Sequence, residues 1–194
     1  MPRFCTRILD LLCLPGRLLS WLTLPLVLAI LVSVLSAAAG ITHLADWEGS
    51  VPVLGKAVTV NTLTDVQWYI FALLVLFGGI CALRDNAHVS VDFLSLMMTH
   101  RQRLWVRVVG DLVFLLPFCL IICWYGWSFA ATAWRTGEGS TQGGLGARWL
   151  IKGALPVCFA MLATFGLVRG IGTLIWLARG GDPAHEAGKP AGEI

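Results

Sequence analysis

Four long apolar stretches constrain the fold of this chain more than any other feature. Leu18 to Gly40 carries no charge at all, and Val66 to Leu83, Val106 to Ala133 and Leu150 to Ala178 are nearly as oily. Crossing the hydrocarbon of a bilayer as a helix takes roughly 17–25 apolar residues, and each stretch meets that. Barrel strands are shorter and alternate in polarity. The fold class is therefore an all-α integral membrane protein with four transmembrane helices. Composition agrees: 57% of the residues are hydrophobic and 13% charged, against about a quarter charged in soluble domains. No stretch is polar enough for a soluble domain, so residues 1–194 read as a single membrane domain.

Basic residues set the orientation. Arg3, Arg7 and Arg17 precede the first span, Arg84, Arg101, Arg103 and Arg107 lie between the second and third, and Arg179 and Lys189 follow the fourth. The opposite side holds Lys56, Arg135, Arg148 and Lys152. The positive-inside rule places both termini and the central loop in the cytoplasm. Residues 1–17 put Phe4, Ile8, Leu11 and Leu12 on one helical face, predicting an interfacial helix that Pro15-Gly16 ends. A second interfacial helix is expected between spans 2 and 3, from Phe93 to His100, turning up into the third span near Trp105. The outer segment 45–64, broken by Pro52 and Gly55, is expected to hug the bilayer without regular structure. Pro117 predicts a tilt or kink in the third span. Residues 180–194 read as a mobile cytoplasmic tail with no further span. Ser36-Ala37-Ala38-Ala39 imitates a signal cleavage site, but the apolar run before it is too long for a signal core, so the span is expected to stay.

The reactive side chains argue against chemistry. A haem between the helices would want paired histidines at similar depth, yet His43 is outside, His88, His100 and His185 are inside, and none lies at a span centre. His88 and Asp92 stand at i, i+4, but two ligands make no metal site. Cys119 and Cys123 share a face without His or carboxylate partners, and the six cysteines read as small buried hydrophobes. No Asp or Glu lies at mid-membrane, where a proton relay would need one. Asp111 is the nearest, about two turns into the third span. Its charge is met by Arg169 across the helices or by Arg107 at i, i+4; in the alternative, Arg169 snorkels to the headgroups and Asp111 stays hydrated. Gly166 and Gly170 form a small-xxx-small face on the fourth span. Gly137 to Gly146 lacks the Lys-Ser/Thr of a phosphate cradle and is a loop. Neither enzyme activity, nor a cofactor, nor a nucleic-acid partner is expected.

The wording of the chain is more specific than its composition. Asp65-Val66-Gln67-Trp68-Tyr69-Ile70-Phe71, followed by Leu83-Arg84-Asp85-Asn86-Ala87-His88-Val89-Ser90-Val91-Asp92, resembles the small membrane subunit of tripartite ATP-independent periplasmic (TRAP) transporters, the DctQ-like family. Phe114-Leu115-Leu116-Pro117-Phe118, Gly137-Glu138-Gly139-Ser140 with Gly143-Gly144-Leu145, and Arg148-Trp149-Leu150-Ile151-Lys152 continue it in order. The resemblance runs from about Asp65 to Gly170. The family often has a basic residue where Ser90 stands, a glutamate at Asp65 and a proline at Gly146.

The resemblance implies a bacterial inner-membrane scaffold subunit. Its expected partners are a large elevator-type membrane subunit, a periplasmic substrate-binding protein and membrane lipids. Uptake of a small organic acid, with any sodium coupling, would reside in the large subunit. Three patches are then expected to matter. Arg84, Asp85, His88 and Asp92 would cap the second span and set the turn that follows it. Trp68, Trp149 and Lys152 would anchor the outer rim, Lys152 reaching headgroups or a partner's carboxylate. Arg135, Glu138 and Arg148 would face the binding protein. Ordinary interfacial anchoring explains each patch at least as well. The rival classes are a stand-alone four-helix carrier or assembly factor and, more remotely, the anchor of a respiratory enzyme.

Overall fold

A computed structural model of the chain describes residues 3–51, 55–85, 98–140 and 145–178. It contains four helices long and apolar enough to cross a membrane. Helix α1 (Arg3–Leu19) passes through a short 3-10 turn (Ser20–Leu22) into α2 (Thr23–Ala38). Pro15-Gly16 does not end α1 as expected, because tertiary contact overrides the local break. Leu9 and Cys13 on α1 are buried with Phe77 and Ile80 of α3 (Val60–Arg84). Gly16 lets the two helices close: a Cβ there would lie 2.6 Å from the Phe77 carbonyl oxygen. At the other end, Gly40 takes a left-handed φ of 69°. The Ile41 N–H bonds the Ser36 carbonyl at 2.9 Å, and the Gly40 N–H bonds that of Ala37 at 3.1 Å, a Schellman stop.

The outer segment is regular, against expectation. Strands β1 (His43–Val51) and β2 (Gly55–Thr59) form an antiparallel hairpin that pairs His43 with Thr59, Asp46 with Ala57 and Val51 with Gly55, with irregular register between. Backbone N–H and C=O groups at a membrane boundary need partners, and a hairpin supplies them locally. Thr59 then caps α3. Its hydroxyl accepts from the Thr62 N–H, while the Thr62 hydroxyl accepts from the Thr59 N–H. The helix holding residues 66–83 therefore begins at Val60.

A second capping box, Thr99 with Gln102, starts α4 (His100–Val109). A π turn (Gly110–Leu115) carries it into α5 (Leu116–Thr136). Pro117, the expected kink, sits directly after that turn, where the Leu116 N–H reaches back to the Asp111 carbonyl. Gly137, at φ 61°, closes α5. Residues 93–97 of the expected second interfacial helix lie outside the described residues. The last helix, α6 (Arg148–Ala178), runs on through Pro156.

The main contacts run in a row, α2 on α3, α3 on α6 and α6 on α5, with α1 lying on both α3 and α6. Helix α6 is the spine and holds more of the described buried residues than any other helix, Phe165 and Cys158 among them. Gly166 and Gly170 bring it against the π turn, where a Cβ would meet Leu115 Cδ2 and Leu112 Cγ at 2.9 Å each. Helix α2 is an edge and buries only Ser36. All six thiols are free. Cys158 donates to the Leu76 carbonyl at 2.9 Å and Cys123 to that of Pro156 at 3.4 Å, so both pack and bond as small core side chains.

Candidate functional site

The polar side chains gather at three levels along the helices. At one end, Arg84 in the last turn of α3 pairs with Asp10 of α1 and lies 3.4 Å from Asp85. A cation there also complements the carbonyl end of the helix. Arg84 and Asp85 were expected at this turn; Asp10 as the partner was not, since 74 residues separate it from Arg84. His88 and Asp92 fall outside the described residues.

Deeper in, Arg169 of α6 grips Asp111 in the π turn with two parallel bonds, Nε to Oδ2 at 2.7 Å and Nη2 to Oδ1 at 2.5 Å. Its remaining nitrogen, Nη1, donates to the Leu83 carbonyl at 3.1 Å. That carbonyl belongs to the last turn of α3, where intrahelical donors run out. One guanidinium thus ties three helices together. Asp111 is 4% exposed, so its carboxylate is held dry by a partner that matches it in shape and charge. The cross-helix pair is thus formed, and Asp111 is not left hydrated with Arg169 snorkelling away from it.

At the opposite end, Lys152 in the first turns of α6 pairs with Glu138 and stands 3.9 Å above the centre of the Phe129 ring. The left-handed Gly137 turns the chain so that Glu138 faces α6. The Glu138 N–H bonds the Ala133 carbonyl, and the Arg148 N–H bonds that of Glu138 at 3.2 Å. Trp134 and Trp149 meet edge to face at 4.4 Å. Asp65 reaches from α3 and accepts the Leu145 N–H at 3.0 Å. Arg135 is exposed and Arg148 half-buried. Trp68 points outward, edge-on to Phe71. Gln67 donates to the Ala29 carbonyl and the Ser33 hydroxyl of α2 at 2.8 and 2.9 Å.

Lys152 and Glu138 therefore satisfy each other within the chain. Glu138 is 43% exposed, and an exposed pair of this kind contributes at most about 1 kcal/mol. Glu138→Gln is expected to leave thermal stability in detergent nearly unchanged. A large drop in melting temperature would show that the pair holds the loop.

Among the described residues no three His, Cys, Asp or Glu side chains come together. What the geometry does is bind helices to one another and fix the outer loop to the start of α3. The sequence pointed to Asp111, Arg169, Arg84 and Lys152, but gave no partner for Asp10, Asp65 or Gln67. Only their long-range partners give them roles.

The family model described as "Tripartite ATP-independent periplasmic transporters, DctQ component" matches residues 50–174, more than half of the chain. That span takes in part of the hairpin, α3, the π turn with Asp111, and Arg169. No curated protein and no solved structure matches.

Proposed function

This chain belongs to the DctQ component family of tripartite ATP-independent periplasmic transporters, and we propose that it is a small scaffold subunit packing against the large elevator-type membrane subunit. Together they would support uptake of a small organic acid delivered by a periplasmic binding protein. Sodium coupling, where present, would belong to the large subunit. The family match carries this reading, and the geometry supports it. The helices stand in a row, and the buried Asp111–Arg169 pair is consumed in holding α3, α6 and the π turn together. Helices tied to one another in this way suit a part that stays still while another moves.

In this reading the protein lies in the bacterial inner membrane with both termini in the cytoplasm, following its basic residues. Helix α1 then lies at the cytoplasmic level against α3 and α6, with Arg7 and Arg17 exposed. The hairpin and the loop held by Lys152, Glu138 and Asp65 face the periplasm, where the binding protein arrives. Arg135 is exposed there, while Arg148 and Lys152 are half-buried.

The test is to purify the tagged chain in mild detergent from its native host. Recovery of a large multi-span protein in about equal amount is the expected result. A chain that purifies alone, and transports when reconstituted alone, would overturn the scaffold reading in favour of a stand-alone carrier.

A further inference from the structure

The two outward surfaces of the row differ in chemistry. Helix α2 presents Leu24, Val27, Leu28, Leu31, Val34 and Leu35, an aliphatic face that matches lipid tails. Helix α5 buries only a narrow stripe of small residues, Cys119, Gly126 and Ala133. Its outward side carries Trp124, Tyr125 and Trp127, which are 77%, 71% and 70% exposed. None of the three meets a hydrogen-bond partner among the described residues.

Their depth makes this unusual. The Trp134–Trp149 pair sits at the outer end of the helices, where interfacial tryptophan belongs. Trp124 and Tyr125 lie about 15 and 14 Å below Trp134 at 1.5 Å per residue, which is mid-core in a hydrocarbon layer about 30 Å thick. An indole N–H or a phenol O–H facing acyl chains there has no acceptor, and a polar group left without one is costly. Beside these rings an apolar groove of about 620 Å³ runs between α5 and α6, with Leu120, Trp124 and Trp127 on one wall and Pro156, Val157 and Ala160 on the other.

We propose that this face of α5, with the groove, is where the large membrane subunit docks, through a helix presenting hydroxyl, amide or freed carbonyl acceptors at mid-bilayer depth. The inference rests on the small-subunit reading above and specifies the surface it uses. Acyl chains would fill the groove but offer no acceptor. A second copy of this face would bring mostly further indole donors, which cannot accept, with the Tyr125 and Ser128 hydroxyls as its few acceptors. Helix α2, whose exposed side chains along the span are aliphatic, is left to lipid.

The test uses the co-expressed complex, with photoreactive benzoylphenylalanine replacing Trp124 or Tyr125 on α5, and Leu28 or Val34 on α2. Covalent adducts with the large subunit from α5 and none from α2 are expected. Adducts from α2 instead of or as well as α5, lipid adducts alone, or adducts between two copies of this chain would overturn the assignment while leaving the subunit role intact. Absence of the large subunit from the unmodified preparation would defeat the subunit role itself. A second measurement removes the donors and keeps the rings. Trp124→Phe with Tyr125→Phe is expected to cut recovery of the large subunit severalfold without shifting the melting temperature of the chain alone. Unchanged recovery would overturn the hydrogen-bonded docking.

Discussion

Arg169→Leu is expected to cost most of the folded protein recovered in detergent. The substitution strips both guanidinium bonds from the Asp111 carboxylate, 4% exposed, and leaves Arg107, one turn earlier, as the cation near it. Breaking a buried pair by removing one partner costs about 3–5 kcal/mol. That is a large share of the roughly 5–15 kcal/mol that holds a domain folded. The Leu83 carbonyl loses its donor as well, a further cost of about 1 kcal/mol. Asp111→Leu, which strands the guanidinium instead, is expected to be about as harmful. The double variant Asp111→Leu with Arg169→Met separates charge from shape. Replacing both ends of a buried ion pair by apolar groups is often neutral or better, so most of the lost stability should return, short of the Leu83 bond. Thermal unfolding and monodisperse yield measure all three. A single variant as stable as the parent would show that water or lipid headgroups reach the pair. A double variant as poor as the singles would show that the contact is needed for its hydrogen bonds and not for its charge balance.

The four apolar helices were legible because membrane length and hydropathy act residue by residue, with no partner needed. The Asp111–Arg169 pair was half legible. Two opposite charges at similar depth in neighbouring spans invite pairing, but the cross-helix contact is fixed only by the π turn and the two glycines that place α6 against Asp111. The early starts of α3 and α4 were written in local sequence, as Thr59 with Thr62 and Thr99 with Gln102. Hydropathy passes over such caps because they lie outside the oily core. The hairpin was missed for a related reason: β1 and β2 lack strict alternation, and their pairing is fixed where the Val60 N–H meets the Thr42 carbonyl at the head of α3. Pro15-Gly16 misled in the opposite direction. Read locally the dipeptide is a stop, yet in the fold its glycine is a contact point. Gln67 and Asp65, which bind α2 and the outer loop, were beyond reach because nothing in one sequence announces a partner tens of residues away.

That contact point gives the second large effect. Gly16→Val is expected to lift α1 from α3. Any Cβ at position 16 would lie 2.6 Å from the Phe77 carbonyl oxygen and 2.8 Å from Cys81 Sγ. The first of these is backbone inside a helix and has no room to yield. Overpacking of this kind costs about 1–3 kcal/mol, and here the cheapest relief is for α1 to move away as a unit. Cys13 reports that movement. It is 1% exposed, packed between α1 and α3 with its thiol aimed at the Ile80 carbonyl. Its reaction with N-ethylmaleimide, followed by peptide mass spectrometry, is expected to speed up at least about tenfold in the variant, since 1.4 kcal/mol is a factor of ten in an opening equilibrium. Gly78→Ala on α3 is the control, because a Cβ there meets nothing within 4 Å and alanine favours the helix by about 0.5–1 kcal/mol. Cys158, held by the Leu76 carbonyl, should keep its rate if α1 alone has lifted. Acceleration of both thiols would mean that the substitution loosens the whole row. An unchanged Cys13 rate would mean that α1 is not seated on Gly16, and that the row is held by the Arg84–Asp10 pair and the apolar face around Leu9.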